Sequence, residues 1–459
     1  MSGLNTSLTI GIQALEATQA ALNATSNNIA NANTPGYTRE VPQFSENAES
    51  LSGSEVSGGG VNLDGLQSVR DELLNLQIQQ QTSQQSSTDT QSASLQQIQT
   101  NFASTGDDIA STLTAFSKSL AQLSASPSNA AAQQGVLESG QNLAESFNST
   151  ANGLTSAQSE ADSQVTQTVA QINSLTQQIA QLNGQLSQLT QSGQDGGTLQ
   201  DQRDELVQQL SQLTGISVSQ SSDGETITTA NGSPLVMGSQ SFTLQTTTGS
   251  DGMQHVLDSA GNDITSSVQG GQLGGAIQIR DQVIPGFLSQ LNTLASQFAS
   301  TFNSAQAMGF DSNGNVGGNF FSVSTGTAGA AASLSVAITN PSLIAISSDG
   351  TAGSNGNVAN LSAALTSPLP SGQSVTNAYA NLVFQVGSDA SNASSESTAI
   401  GQSLLQLTNQ QSSISGVSID EETTNLIRFQ TAYEAAARIV STIQQLSTVT
   451  LDMGSSQSY

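Results

Sequence analysis

Few residues of this chain could do chemistry, and their spacing argues against a catalytic centre. His255 is the only histidine, and there is no cysteine. A nucleophilic site needs a base held by an orienting group, and a metal site needs several converging ligands. One imidazole, set between a Gly-rich turn and Val256-Leu257, supplies neither and reads as an ordinary strand residue. A His-Glu-x-x-His zinc motif is impossible with one histidine. The Gly58-Gly59-Gly60 run and the cluster from Gly270 to Gly275 lack the Lys and Ser/Thr of a phosphate loop, and they read as flexible connections. Three Arg-Asp pairs remain: Arg70-Asp71, Arg203-Asp204 and Arg280-Asp281. They read as interhelical ion pairs that fix register, where an exposed pair contributes about 0–1 kcal/mol. No catalytic residue, cofactor or metal is expected, and the chain reads as non-enzymatic.

The positioning signal lies instead in the two ends. Leu8, Leu15, Leu22 and Ile29 recur every seven residues, with Ile12 beside them and Ala14, Ala17, Ala21 and Ala24 between. Toward the C-terminus Ile419, Leu426, Tyr433 and Val440 repeat the interval, with Phe429, Ala436 and Ile443 three residues behind the last three. A seven-residue apolar repeat lays one stripe along a helix, and that stripe must pack on a partner. Leu8, Ile12, Leu15, Leu22 and Ile29, with Leu426, Phe429, Tyr433, Val440 and Ile443, are therefore the candidate assembly interface. Contact between subunits is favoured over an internal core, because each stripe lies beyond a Gly-rich or Ser-rich connector. A terminal helix alone is marginal in water.

Composition narrows the partners. At 459 residues the chain is too long for one core, and two to four domains are expected. Charged residues make up 9 %, against roughly 25 % in ordinary soluble domains. Lys and Arg total 7 against 34 acids, for a net charge of −27. Seven cations cannot build the basic face that nucleic acid requires, nor one for anionic lipid. No apolar run reaches the length of a membrane span, so no membrane insertion is expected. The N-terminus lacks the basic n-region of a secretory signal, so any export would use another route.

Along the chain, residues 4 to 32 read as one helix, ended by Asn33-Thr34-Pro35-Gly36. An extended stretch from Tyr37 to Asn62 follows, and helical spacing resumes with Leu66, Val69, Leu73 and Leu76. A second helix is expected through Leu95, Phe102, Ile109, Phe116 and Leu123, across Gly106. The strongest coiled-coil pattern is 165 to 189, with Ile172, Ile179 and Leu186 in one register and Leu175, Leu182 and Leu189 in the other. Another helix (Leu199, Leu206, Leu210, Leu213) follows the Asp195-Gly196-Gly197 turn. After Gly215 the period drops to two, with Asp223-Gly224, Asn231-Gly232 and Gly249 to Gly252 as hairpin turns. Helix resumes with Ile277, Ile284, Leu291 and Phe298, and again from Val375 to Leu407.

The fold class is thus mainly α with a small β insertion, nested in three units. These are a terminal coiled-coil domain (1–60 plus 415–459), a helical bundle (61–214 plus 270–414, irregular over 309–372) and a β-rich outer domain (215–269).

The segment from Asn27 to Arg39, with Asn33-Thr34-Pro35-Gly36-Tyr37 and Arg39 at its turn, resembles the N-terminal signature of the bacterial flagellar rod, hook and hook-associated family. Val69 to Leu74, Leu199 to Val207 running into Gly215-Ile216, Gly270 to Gly275 with Arg280-Asp281, Phe302-Asn303, and Asn425 to Tyr433 are similar to blocks of its hook-associated members, in their order. The resemblance implies a structural subunit at the hook-filament junction, a mechanical adaptor polymerising between hook and filament. It also implies the partners: further copies in a ring or helical assembly, the hook protein, the second junction protein, and a cytoplasmic export chaperone on the C-terminal helix. Localisation would be the extracellular flagellum, reached without a cleaved signal peptide. Two alternatives stand beside it: a hook or distal rod protein, which would be β-rich outside its termini, and a secreted coiled-coil adhesin.

Overall fold

In the computed structural model, residues 2–47, 50–52, 55–102, 108–192, 196–221, 224–324 and 326–455 are described. Helix α1 (Ser2–Asn31) carries the N-terminal heptads. It stops because Pro35 excludes Thr34 from helical geometry, and the chain reverses through Gly36 at φ +77°, a left-handed conformation open to glycine. Strand β1 (Glu40–Glu46), the short hairpin β2 (Ser50–Ser52) and β3 (Glu55–Ser57), and strand β4 (Val61–Ser68) follow. β1 and β4 pair antiparallel from Glu40–Ser68 to Glu46–Val61. Much of the extended stretch is therefore a hairpin arm, and it runs across the expected boundary at residue 60.

Helix α2 (Glu72–Phe102) begins later than its apolar spacing suggested. Leu66 lies in β4 opposite Pro42, because Val61 and Leu63 alternate with polar residues and β1 supplies the partner. The helix accordingly buries Leu74 and Ile78 and exposes Leu73 and Leu76. The expected second helix is also corrected. Leu95 and Phe102 end α2, while Ile109, Phe116 and Leu123 belong to α3 (Ile109–Ala125); Gly106 lies outside the described residues. Asp108 caps α3, its Oδ1 accepting from the amides of Ala110 (2.9 Å) and Ser111 (3.0 Å). A cap of this kind contributes about 1 kcal/mol and starts a new helix. All five residues still meet in one core.

Helix α4 (Ala130–Gln191) is the longest element, and α5 (Gly197–Leu213) folds back on it; Asp195 of the expected turn lies outside the described residues. Strands β5 (Ile216–Ser221), β6 (Gly224–Thr229), β7 (Pro234–Met237) and β8 (Gln240–Ser241) form one antiparallel sheet in sequence order. Strands β9 (Gln245–Thr248) and β10 (Gln254–Leu257) form a separate hairpin. Asn231-Gly232 and Gly249 to Gly252 turn the chain where the dipeptides placed them; Asp223 lies outside the described residues.

The heptads of α4 differ from a helix-only coiled coil. Ile172, Ile179 and Leu186 are buried together with Thr176 and Asn183, and Ile172 and Ile179 share a core with α5 and the β insertion. The side-chain amide of Asn183 donates to the carbonyls of Glu225 (3.0 Å) and Gly238 (2.9 Å), so one polar side chain fixes the sheet's register on the helix.

After the insertion come α6 (Gly271–Gln278), a π-helical turn (Ile279–Val283) and α7 (Ile284–Ala307). Strand β11 (Phe321–Ser322), helix α8 (Ala330–Ser333), strand β12 (Ser335–Val336) and helix α9 (Val358–Thr366) punctuate the irregular segment. That segment packs onto the main core through Phe320, Phe321, Ile344 and Leu361, with Phe298 and Phe321 ring centres 5.0 Å apart. Helix α10 (Val375–Ser415) returns antiparallel along α2, and α11 (Ile419–Ser455) ends the described chain. The architecture is mainly α with small antiparallel sheets.

Candidate assembly site at the paired terminal helices

Helices α1 and α11 lie antiparallel, with Gly11 beside Val440 at one end and Asn28 beside Glu422 at the other. A glycine lies at the contact. Gly11, Ala17, Ala21 and Ala24 are buried on α1, and Ala436 and Ile443 are buried on α11. A Cβ added at Gly11 would stand 2.8 Å from Val440 Cγ2, so the backbones approach more closely than a side chain would permit. The two stripes thus meet within one chain. Leu8, Leu15, Leu22 and Ile29 straddle the seam half-buried, and Ile12 is 42 % exposed. On α11, Leu426, Phe429, Tyr433 and Val440 are half-buried and Ile443 is buried.

A second face of α11 escaped the sequence reading. Ala432, Ala435, Ile439, Thr442, Leu446, Val449 and Met453 alternate three and four residues apart, and all are exposed. Ile439, Leu446 and Met453 are 55 %, 51 % and 61 % exposed. The signal was present, because 439, 446 and 453 are themselves seven apart. It was overshadowed by the larger side chains of the neighbouring stripe.

The turn that ends α1 anchors the pair to the bundle. Asn33, Thr34, Pro35 and Gly36 are exposed, whereas Tyr37 and Arg39 are half-buried. The Tyr37 hydroxyl donates to Asn28 Oδ1 at 2.9 Å, and the Glu40 amide donates to the same oxygen at 3.0 Å. Asn28 Nδ2 donates to the Glu40 carbonyl (2.9 Å) and to Glu422 Oε2 (3.1 Å). Burial, with the charges of Glu40, Asp201 and Glu422, pushes the Tyr37 hydroxyl well above its ordinary pKa, so it remains a donor. Arg39 pairs with Glu421 at 3.0 Å, and its amide donates to the Ser415 carbonyl at 2.9 Å. Sequence reasoning named this turn without seeing that Asn28, buried and bonded on both sides, is its centre.

On the bundle side the Thr38 amide donates to Asp201 Oδ2 at 3.1 Å. Arg70 spans Asp201 (2.5 Å) and Asp204, and also donates to the Gly197 carbonyl at 3.1 Å. Burial raises the Asp201 carboxyl pKa, against the opposing pull of Thr38 and Arg70. Between turn and bundle lies a cleft of about 650 Å³, lined by Pro35, Tyr37, Arg70, Asp201 and Gln411 among others. Tyr37, Arg70 and Asp201 are already engaged in holding the arm, and Gln411 donates to Asn75 of α2 at 2.7 Å. Among the described residues no group of His, Asp and Glu is placed to hold a metal, and no helix is long and apolar enough to cross a membrane.

Residues 95–321 match the family described as the flagellar hook-associated protein FlgK helical domain. The ends match two shorter families, the flagella basal body rod protein over 8–38 and the flagellar basal body rod FlgEFG protein C-terminal over 409–453. Flagellar hook-associated protein 1 of Bacillus subtilis (strain 168) is 33 % identical, with 95 % of each chain covered. The chain belongs to the flagellar hook-associated protein 1 family. The Escherichia coli (strain K12) member is 28 % identical over 93 % of this chain and 96 % of its own. The flagellar hook junction protein FlgK from Burkholderia pseudomallei shares the fold, with a TM-score of 0.67 at 21 % identity over 74 % of this chain and all of that one. Both rod-family matches fall on the paired helices, and the hook-associated match falls on the bundle and insertion. The chain is a hook-associated structural component of the bacterial flagellum.

Proposed function

We propose that the chain is the adaptor subunit between hook and filament, polymerising through its terminal helices. The observation that carries this reading is the α1–α11 pair. It brings the two terminal stripes together and leaves a second apolar row of α11 exposed. In the assembly the terminal unit (1–60 plus 415–459) forms the inner layer, the bundle (61–214 plus 270–414) surrounds it, and the β insertion (215–269) is the outer surface. The protein acts mechanically and catalyses nothing. Its partners are further copies of itself, the hook protein and the second junction protein. Before assembly an export chaperone covers Leu426, Phe429 and Tyr433, in competition with α1, and export proceeds without a cleaved signal peptide. Immunogold labelling of purified flagella tests the placement. Gold confined to the boundary between hook and filament is the expected result; gold along the filament or over the cell surface would sink the proposal.

A further inference from the structure

Helix α5 stands between the hairpin arm of the terminal unit and the β insertion, and it touches each through charge. From the arm side come Thr38, just ahead of β1, and Arg70, just after β4. Thr38 binds Asp201, and Arg70 binds Asp201 and Asp204, both on α5. From the same helix Arg203 Nη2 lies 3.3 Å from Asp204 Oδ1 and 2.8 Å from Glu225 Oε1 on β6. Gln220 of β5 donates to that same Glu225 oxygen at 2.9 Å. The result is an alternating row, Asp201, Arg70, Asp204, Arg203, Glu225, with three carboxylates and two guanidinium groups. All five side chains are at most 30 % exposed.

We propose that this row couples the seating of the terminal arm to the seating of the β insertion, so that loosening either one loosens the other. The physical reason is that one nitrogen serves two carboxylates. Arg203 Nη2 is shared between Asp204 and Glu225. While Arg70 neutralises Asp204, Arg203 is free to hold Glu225. When the arm lifts and takes Arg70 with it, Asp204 draws on Arg203, and Glu225 loses part of its only cation in the row. Glu225 is 6 % exposed, and its second oxygen, Oε2, has no hydrogen-bond partner. A buried carboxylate in that position destabilises the strand that carries it. The Nε atoms of Arg70 and Arg203 are likewise buried without partners, so both side chains are held only through their terminal nitrogens and can shift between carboxylates. A coupling of this kind is reciprocal.

Hydrogen exchange on the full-length chain tests it, with amides of the β5–β6 ladder reporting the insertion and those of β1–β4 reporting the arm. Amides of α7, deep in the main core, report global opening. Arg70→Met should speed exchange across β5–β6 by about tenfold, within the roughly 5–150-fold range of such couplings, while α7 is unchanged. Glu225→Gln should speed β1–β4 by the same factor, and the double variant should fall short of the product of the two. If each variant disturbs only its own end, or the two factors multiply, the coupling is overturned. Should Arg70→Met also accelerate α7, the Glu225→Gln chain decides alone: unchanged β1–β4 exchange overturns the proposal, and faster exchange with α7 steady supports it.

Discussion

His255 sits on β10 with Nδ1 2.6 Å from Asp263 and Nε2 3.3 Å from Asp251, so the chain's one imidazole bridges two turns of the outer hairpin. The hydrogen bond to Asp263, reinforced by that to Asp251, raises the histidine pKa. Asp263 itself, held by the Thr265 hydroxyl and by His255, is pulled down to about 2. With the folded pKa above the unfolded value, the clamp's stabilisation is complete below about pH 6.5 and is lost as pH rises through the folded value. The Asp263 contribution runs oppositely, present above the unfolded pKa of about 4 and lost as pH falls toward 2. The single imidazole resonance should therefore titrate above 6.5, and Asp263→Asn should move it back toward 6.5. An unchanged titration in that variant would remove the clamp. From sequence His255 reads as a plain strand residue, and in its backbone it is one. Its partners lie four residues before and eight after, and only the folded turns bring them to the same ring.

At the scale of elements, the heptads state that stripes exist but not which side of each stripe meets a partner. On α1 the leucines draw the eye, yet the alanines are the more deeply buried, while Leu8, Leu15, Leu22 and Ile29 stay half-buried. Ala21 is fully buried, whereas Ile12 is 42 % exposed. Ala21→Leu should therefore overpack the buried side of α1 and destabilise the terminal unit by about 1–3 kcal/mol, while Ile12→Ala should stay within about 0.5 kcal/mol. Local exchange of α1 amides measures both, and equal effects would mean that the alanine side of α1 is not its packed side. The same limit explains Leu66 and the divided second helix. Apolar spacing marks burial, but a pairing strand at β1 and a capping carboxylate at Asp108 decide which element does the burying. The β insertion was the more legible because its turn dipeptides carry their own geometry.

At the scale of the molecule, the nesting of β within bundle within paired ends was readable from changes of period, since each change marks a change of packing partner. What no period reveals is which apolar face the single chain leaves open. The row of α11 through Ile439, Leu446, Val449 and Met453 is exposed in the single chain, with Ile439 at its edge near Gly11 of α1. An exposed apolar row of that length is a liability in a monomer and a contact in an assembly. Ile439→Asp with Leu446→Asp separates the two cases. Both positions are open to water in the single chain, so the variant should fold and melt as the parent does. In an assembly each carboxylate would be taken from water into an apolar contact, which costs several kcal/mol unless a cation meets it. Polymerisation of purified subunits should fail, and cells carrying only this variant should lose attached filaments and motility. Ile443→Asp, on the buried face, should instead loosen the α1–α11 pair within the monomer and speed exchange along α1. If the outward double variant assembles and swims normally while Ile443→Asp does not, subunits meet through the α1 side of the pair, and the outward face of α11 is not the interface.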